Sequence, residues 1–144
     1  MITLERTVRT AAPRERVFAY LADFTTTTEW DPGSVSTTRE SGDGGPGTTY
    51  HNVSRFAGRE TELTYVTQQV RRPELLQLRG TNMTVTATDT MTLREVDGGT
   101  EVHYRADFEF QGVARFLEPL LRIPMKKLGD DAAKGMTSAL RRLQ

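Results

Sequence analysis

The sequence contains no cysteine, which excludes disulfide staples, thiolate metal ligation and a thiol nucleophile. Histidine is scarce too. His51 and His103 are the only two, too few for a histidine-rich metal centre, and no metal and no cofactor are expected. No apolar run approaches the ~20 residues that a membrane-spanning helix needs. The opening Met1-Ile2-Thr3-Leu4-Glu5-Arg6 lacks the basic and apolar blocks of a signal peptide, so a cytoplasmic protein without membrane insertion is expected. Charge of one sign is also missing: 19 basic residues balance 19 acidic ones. Without a basic excess or a helix-turn-helix or RNA-binding signature, no nucleic-acid partner is expected. There is no Gly-x-Ser-x-Gly elbow, and the Gly-rich stretch Gly42 to Gly47 lacks the lysine and the following helix of a phosphate-binding loop.

What the chain does contain is periodicity. At 144 residues it has the length of a single domain, expected to span 1–144, and can bury roughly 68–70% of its unfolded surface around one core. Ile2 to Thr10 alternates like a strand. Pro13 suits a first helical turn, and Val17, Phe18, Leu21 and Phe24 recur at helical spacing. The β-branched run Thr25 to Thr28 is a poor helix interior, so a second, broken helical piece is expected to end near Trp30, before the turn residues Asp31-Pro32-Gly33. From Val35 onward the pattern is of strands and turns: Thr48 to Ala57 and Arg59 to Val70 flank Gly58, Leu75 to Gly80 follows Arg72-Pro73-Glu74, and 22 threonines suit this β-rich middle. The final hairpin joins Val85–Val96 to Thr100–Phe110 through Asp97-Gly98-Gly99, residues that accept the positive φ of a type I′ turn.

From Gly112 to Gln144 the apolar residues step by three and four, the stripe of one long amphipathic helix. Pro124 falls inside it and would bend it, either opening a mouth against the sheet or fitting the helix to a curved surface. This segment carries seven basic against three acidic residues. They interleave with the stripe and read as a solvated outer face.

Strand, two short helices, six antiparallel strands and a long C-terminal helix is the order of the helix-grip fold. The chain resembles the START-like (SRPBCC) superfamily, in particular its polyketide cyclase/dehydrase-like branch. The resemblance rests on Ala12-Pro13-Arg14-Glu15-Arg16-Val17-Phe18-Ala19-Tyr20-Leu21-Ala22-Asp23 as the first-helix entry, Trp30 as the aromatic after the second helix, Arg72-Pro73 as the mid-sheet turn, and Asp97-Gly98-Gly99-Thr100 as the last hairpin. It implies an α+β fold in which about seven curved antiparallel strands wrap the long helix, with a cavity between them. It specifies no chemistry, because such folds serve lipid carriers, receptors and cyclases alike.

Strand parity indicates what would line that cavity. On the last strand Val102, Tyr104, Ala106, Phe108 and Phe110 share a face, and His103 falls on the opposite, charged one. On the strand before it Val85, Ala87, Met91 and Leu93 share a face with Asp89. An inward carboxylate must be paired, hydrogen-bonded or protonated with a raised pKa, which makes Asp89 the best catalytic candidate and Tyr104 its neighbour in role. Tyr50 shares a face with Asn52, Ser54 and Phe56, and Tyr65 with Thr61, Leu63 and Thr67; if these faces point inward, their phenols would orient a ligand carbonyl. Trp30, Met83, Met91, Phe116, Leu120 and Met125 complete an apolar lining. The expected partner is a hydrophobic or aromatic small molecule. The alternatives are a cyclase/dehydratase with Asp89 and a tyrosine as acid and base, and a non-enzymatic interaction module with a filled core. Exposed edge strands are compatible with a homodimer.

Overall fold

The computed structural model describes residues 1–56 and 58–144; Ala57, expected to end the strand before Gly58, lies outside the described residues. Strand β1 (Ile2–Thr10) is followed by α1 (Arg14–Ala22), a 3-10 turn (Phe24–Thr26) and the short α2 (Thr27–Trp30). Strands β2 (Ser34–Ser41), β3 (Thr49–Phe56), β4 (Arg59–Arg71), β5 (Leu75–Thr81), β6 (Val85–Val96) and β7 (Gly99–Phe110) complete a seven-stranded sheet of order β1-β7-β6-β5-β4-β3-β2. Each neighbouring pair is antiparallel. Register shifts at Ser34/Ser36, Arg39/Ser41 and Thr67/Gln69 add the local bend of β-bulges. The curved sheet grips α3 (Glu118–Arg141), giving the helix-grip arrangement.

Local chemistry explains these boundaries. Asp23 ends α1 and its carboxylate accepts a hydrogen bond from the Thr25 amide at 3.2 Å, starting the 3-10 turn. The last hairpin turns on two residues: Val96 pairs with Gly99, and Asp97 and Gly98 take φ of 50° and 81°, the type I′ geometry that matches strand twist. Arg6, which interrupts the apolar alternation of β1, reaches α3 instead of water. Its Nε donates to the Asp130 carboxylate at 2.9 Å and its Nη2 to the Lys126 carbonyl at 3.1 Å, tethering the helix to the edge of the sheet.

The C-terminal segment departs from the expected single helix. Gly112–Leu117 winds as 3-10 turns, and α3 begins only at Glu118, with Pro119 in its first turn, where a missing N–H costs nothing. The tighter 3-10 winding shifts the stripe out of phase, so Val113 and Phe116 are exposed, as are Leu117, Leu120 and Ile123. The face that meets the sheet runs through Leu121, Met125, Leu128, Gly129, Ala132, Met136 and Ala139–Leu140. Helix α3 continues through Pro124.

Candidate functional site

The parity of each strand fixes its inner face. On β6, Ala87, Asp89, Met91 and Leu93 are buried; on β3, Tyr50 and Asn52; on β4, Leu63, Tyr65 and Thr67. His51 and His103 point outward, against Glu62 at 2.8 Å and Glu5 at 3.4 Å. Toward α1 this inner face is packed solid by Val17, Phe18, Leu21, Leu76, Met91, Met136 and Leu140. Toward the start of α3 it is not filled. A cavity of about 320 Å³ lies there, walled by Leu4, Phe56, Leu63, Tyr65, Val85, Ala87, Asp89, Tyr104, Ala106, Phe108 and Phe110 from the strands and by Leu121, Met125, Leu128, Gly129 and Ala132 from α3.

Small side chains are what leave this room. Asp89 pairs across the ladder with Ala106, and Ala87 with Gly80, while Gly129 and Ala132 are the opposing helix residues. Gly80 has a second part to play. A Cβ there would sit 2.6 Å from the Tyr65 ring, so only glycine leaves room for that ring against β5.

Asp89 stands at the inner end. It is 4% exposed, and its Oδ1 has no hydrogen-bond partner among the described residues. Burial, reinforced by the charge of Asp31, pushes its pKa up to about 7, with the neighbouring Tyr104 hydroxyl acting in the opposite direction. Asp31, in the turn after α2, lines the same cavity. Its Oδ1 accepts the Gly33 amide at 3.0 Å, yet burial still pushes this carboxyl up to about 6. The Tyr65 and Tyr104 phenols are raised well above their ordinary range by burial and then by the two carboxyls. Near neutral pH this group of residues can hold or release a proton inside an apolar chamber.

The structure brings six of the expected residues to this chamber: Phe56, Tyr65, Asp89, Tyr104, Phe108 and Met125. It places six elsewhere. Trp30 is buried one layer back, its ring edge-on to Tyr104 at 5.7 Å. Tyr50 packs on Phe24 at 5.7 Å, and Met91 sits in the solid half of the core. Met83 is 93% exposed, because Asn82 Oδ1 accepts the amides of Thr84 and Val85 and closes a turn with Met83 at its tip. Phe116 and Leu120 face outward for the phase reason given above. Asn52 is committed to a buried polar cluster, donating to Ser34 Oγ at 2.9 Å and Thr37 Oγ1 at 2.8 Å. Asp31 escapes sequence reasoning because Asp-Pro-Gly reads as turn chemistry and no alternation says where a turn side chain points. The signal for the cavity that was available lay in the inward alanines Ala87 and Ala106.

No curated protein matches the chain, but solved structures resemble it over nearly its full length. A START superfamily protein from Mycobacterium smegmatis is 14% identical with a TM-score of 0.80, covering 99% of each chain. The Zhui aromatase/cyclase from a Streptomyces species is 16% identical with a TM-score of 0.77, over 96% of this chain and 90% of that one. A STAR-related lipid transfer protein from Xanthomonas axonopodis is 13% identical with a TM-score of 0.73, over 96% and 85%. At such identities the likeness is one of fold. The family described as polyketide cyclase / dehydrase and lipid transport matches residues 1–143, and the chain therefore belongs to that family.

Proposed function

We propose that the protein binds a hydrophobic or aromatic small molecule in the chamber between the sheet and the N-terminal half of α3. The observation that carries this reading is the 320 Å³ chamber itself, walled mainly by apolar and aromatic side chains with a few convergent polar groups. Ligand sites have this composition, and their volumes begin at roughly 300 Å³. The family description, which includes lipid transport, agrees with such a ligand. Native mass spectrometry of freshly purified protein is expected to reveal a co-purified molecule, or a panel of lipids and aromatic polyketides to raise the melting temperature. A bare chain whose melting temperature no panel member moves would mean that the chamber is only a packing gap.

A second reading, a cyclase or dehydratase, is favoured by one specific observation: the buried Asp89 carboxyl lies beside the Tyr104 hydroxyl in that chamber, where burial pushes its pKa up to about 7. Asp89 would pass a proton to or from a bound poly-carbonyl chain with Tyr104 as partner, while the walls position the chain. The Asp89→Asn variant is then expected to keep ligand affinity and lose turnover. A binding protein is indifferent in turnover because it has none.

A further inference from the structure

The polar groups of the chamber are unbalanced in sign. Two carboxyls, Asp31 and Asp89, line it, and among the described residues the charged neighbours on the elements packed around them supply no free counter-charge. On β3, Arg55 is the one cationic residue lining the chamber among the described residues, and its guanidinium is engaged by Glu60 at 3.0 Å in an exposed pair. On β1, Arg6 is held by Asp130. On β7, Asp107 adds further negative potential at Asp89. From β4 and β7 come the neutral phenols Tyr65 and Tyr104, and the α3 residues on the chamber, Leu121, Met125, Leu128, Gly129 and Ala132, carry no charge.

A buried carboxyl with an open oxygen is stabilised by a partner that brings positive charge and N–H donors. Aromatic faces beside it add cation–π attraction. Building on the binding function proposed above, we propose that the inner end of the chamber is an amine subsite. There the Asp89 carboxylate, with Asp31 and the Tyr65 and Tyr104 rings around it, takes the protonated amino group of a ligand whose aromatic or aliphatic body lies among Phe56, Phe108 and Phe110. No covalent step is involved. Ammonium binding requires the carboxylate form, so it displaces a proton from the carboxyl pair. Affinity for an amine should therefore fall by up to about tenfold per pH unit once the pH drops below the Asp89 pKa of about 7, whereas affinity for an uncharged molecule of the same shape should not.

The test compares 2-naphthylmethylamine with its uncharged isostere 2-naphthylmethanol by isothermal titration calorimetry between pH 5.5 and 8.5. The amine is expected to bind at least about tenfold more tightly at pH 8 and to lose that preference on acidification, since one charged hydrogen bond exchanged for a neutral one is a difference of this order. Asp89→Asn should abolish the preference while the alcohol still binds, and Asp31→Asn should reduce it. If amine and alcohol bind alike at every pH, the amine subsite is refuted and the apolar chamber stands. If the folded protein binds neither, both proposals fall. A preference that survives Asp89→Asn also refutes the assignment. Should that variant not fold, the pH dependence of the amine-to-alcohol ratio in the native chain decides the matter.

Discussion

The two halves of α3 lie on one continuous sheet face and do opposite things with it. From Met136 to Leu140 the helix is sunk into closely packed side chains, including Phe18, Leu21, Leu76 and Leu93. From Glu118 to Gly129 only Met125 and Gly129 are buried, and the helix roofs a chamber. The boundary between these regimes is sharp: Met91 belongs to the solid core and Asp89, two residues earlier on β6, belongs to the chamber wall. A strand whose period puts both on one face thus fills the core at one end and walls the chamber at the other, and the switch is made by residue size. Ala87, Ala106 and Gly129 stand where the packed half has leucine, methionine and phenylalanine.

That contrast can be broken most severely from the packed side. Phe18→Ala removes a fully buried ring and is expected to cost about 3–5 kcal/mol in urea unfolding; a loss below 1 kcal/mol would mean that the packed end also tolerates space. On the chamber side the largest effect should be a stabilisation. Because the pKa of Asp89 is raised from 3.8 to about 7, the folded chain binds more protons than the unfolded one between these values. Stability therefore falls as pH rises through that window. Asp89→Asn should gain roughly 1–3 kcal/mol at pH 8 and nothing near pH 4, as read from unfolding curves at the two pH values. Ala106→Phe directs a ring into the chamber and should change stability by no more than about 1.5 kcal/mol while eliminating ligand binding. A binding-competent Ala106→Phe protein would show that the ligand sits elsewhere. Smallest of all, Phe116→Ser on the outer face of the C-terminal segment should stay within about 0.5 kcal/mol of the parent.

Much of this architecture was legible from period alone. The order of elements, the inward faces of β6 and β7 and the turn at Asp97-Gly98 follow from alternation and from residues that accept positive φ. The start of α3 was not legible, because Val113, Phe116 and Leu120 continue a three-and-four spacing that 3-10 winding at Gly112–Leu117 takes out of register with the helix. The chamber was only half legible. Parity puts Met91 and Tyr104 on inward faces and leaves the faces of Tyr50 and Tyr65 open, and how far each lies from α1 along the strands depends on the curvature of the sheet, which no single strand encodes. Asp31 was invisible for a related reason: a turn places its side chain by tertiary contact rather than by period.

Gly135 has a consequence for motion. A side chain there would collide with the Trp30 carbonyl, so α3 and α2 touch backbone to backbone at that point, and the far half of the helix is pinned. Arg6 adds a second pin at Lys126 and Asp130. Ahead of both, Pro124 offers no N–H to the Leu120 carbonyl, and the outer turns bury almost nothing. The helix is a beam clamped at its far end and held at its start chiefly by Glu118, which pairs with the Met1 ammonium, and its amides should exchange with solvent along a gradient, fastest near Ile123 and slowest near Leu140. For the ligand proposed for the chamber, lifting these outer turns would open a way in at a small fraction of the free energy of global unfolding, and once seated it would flatten that gradient by giving the outer turns something to hold.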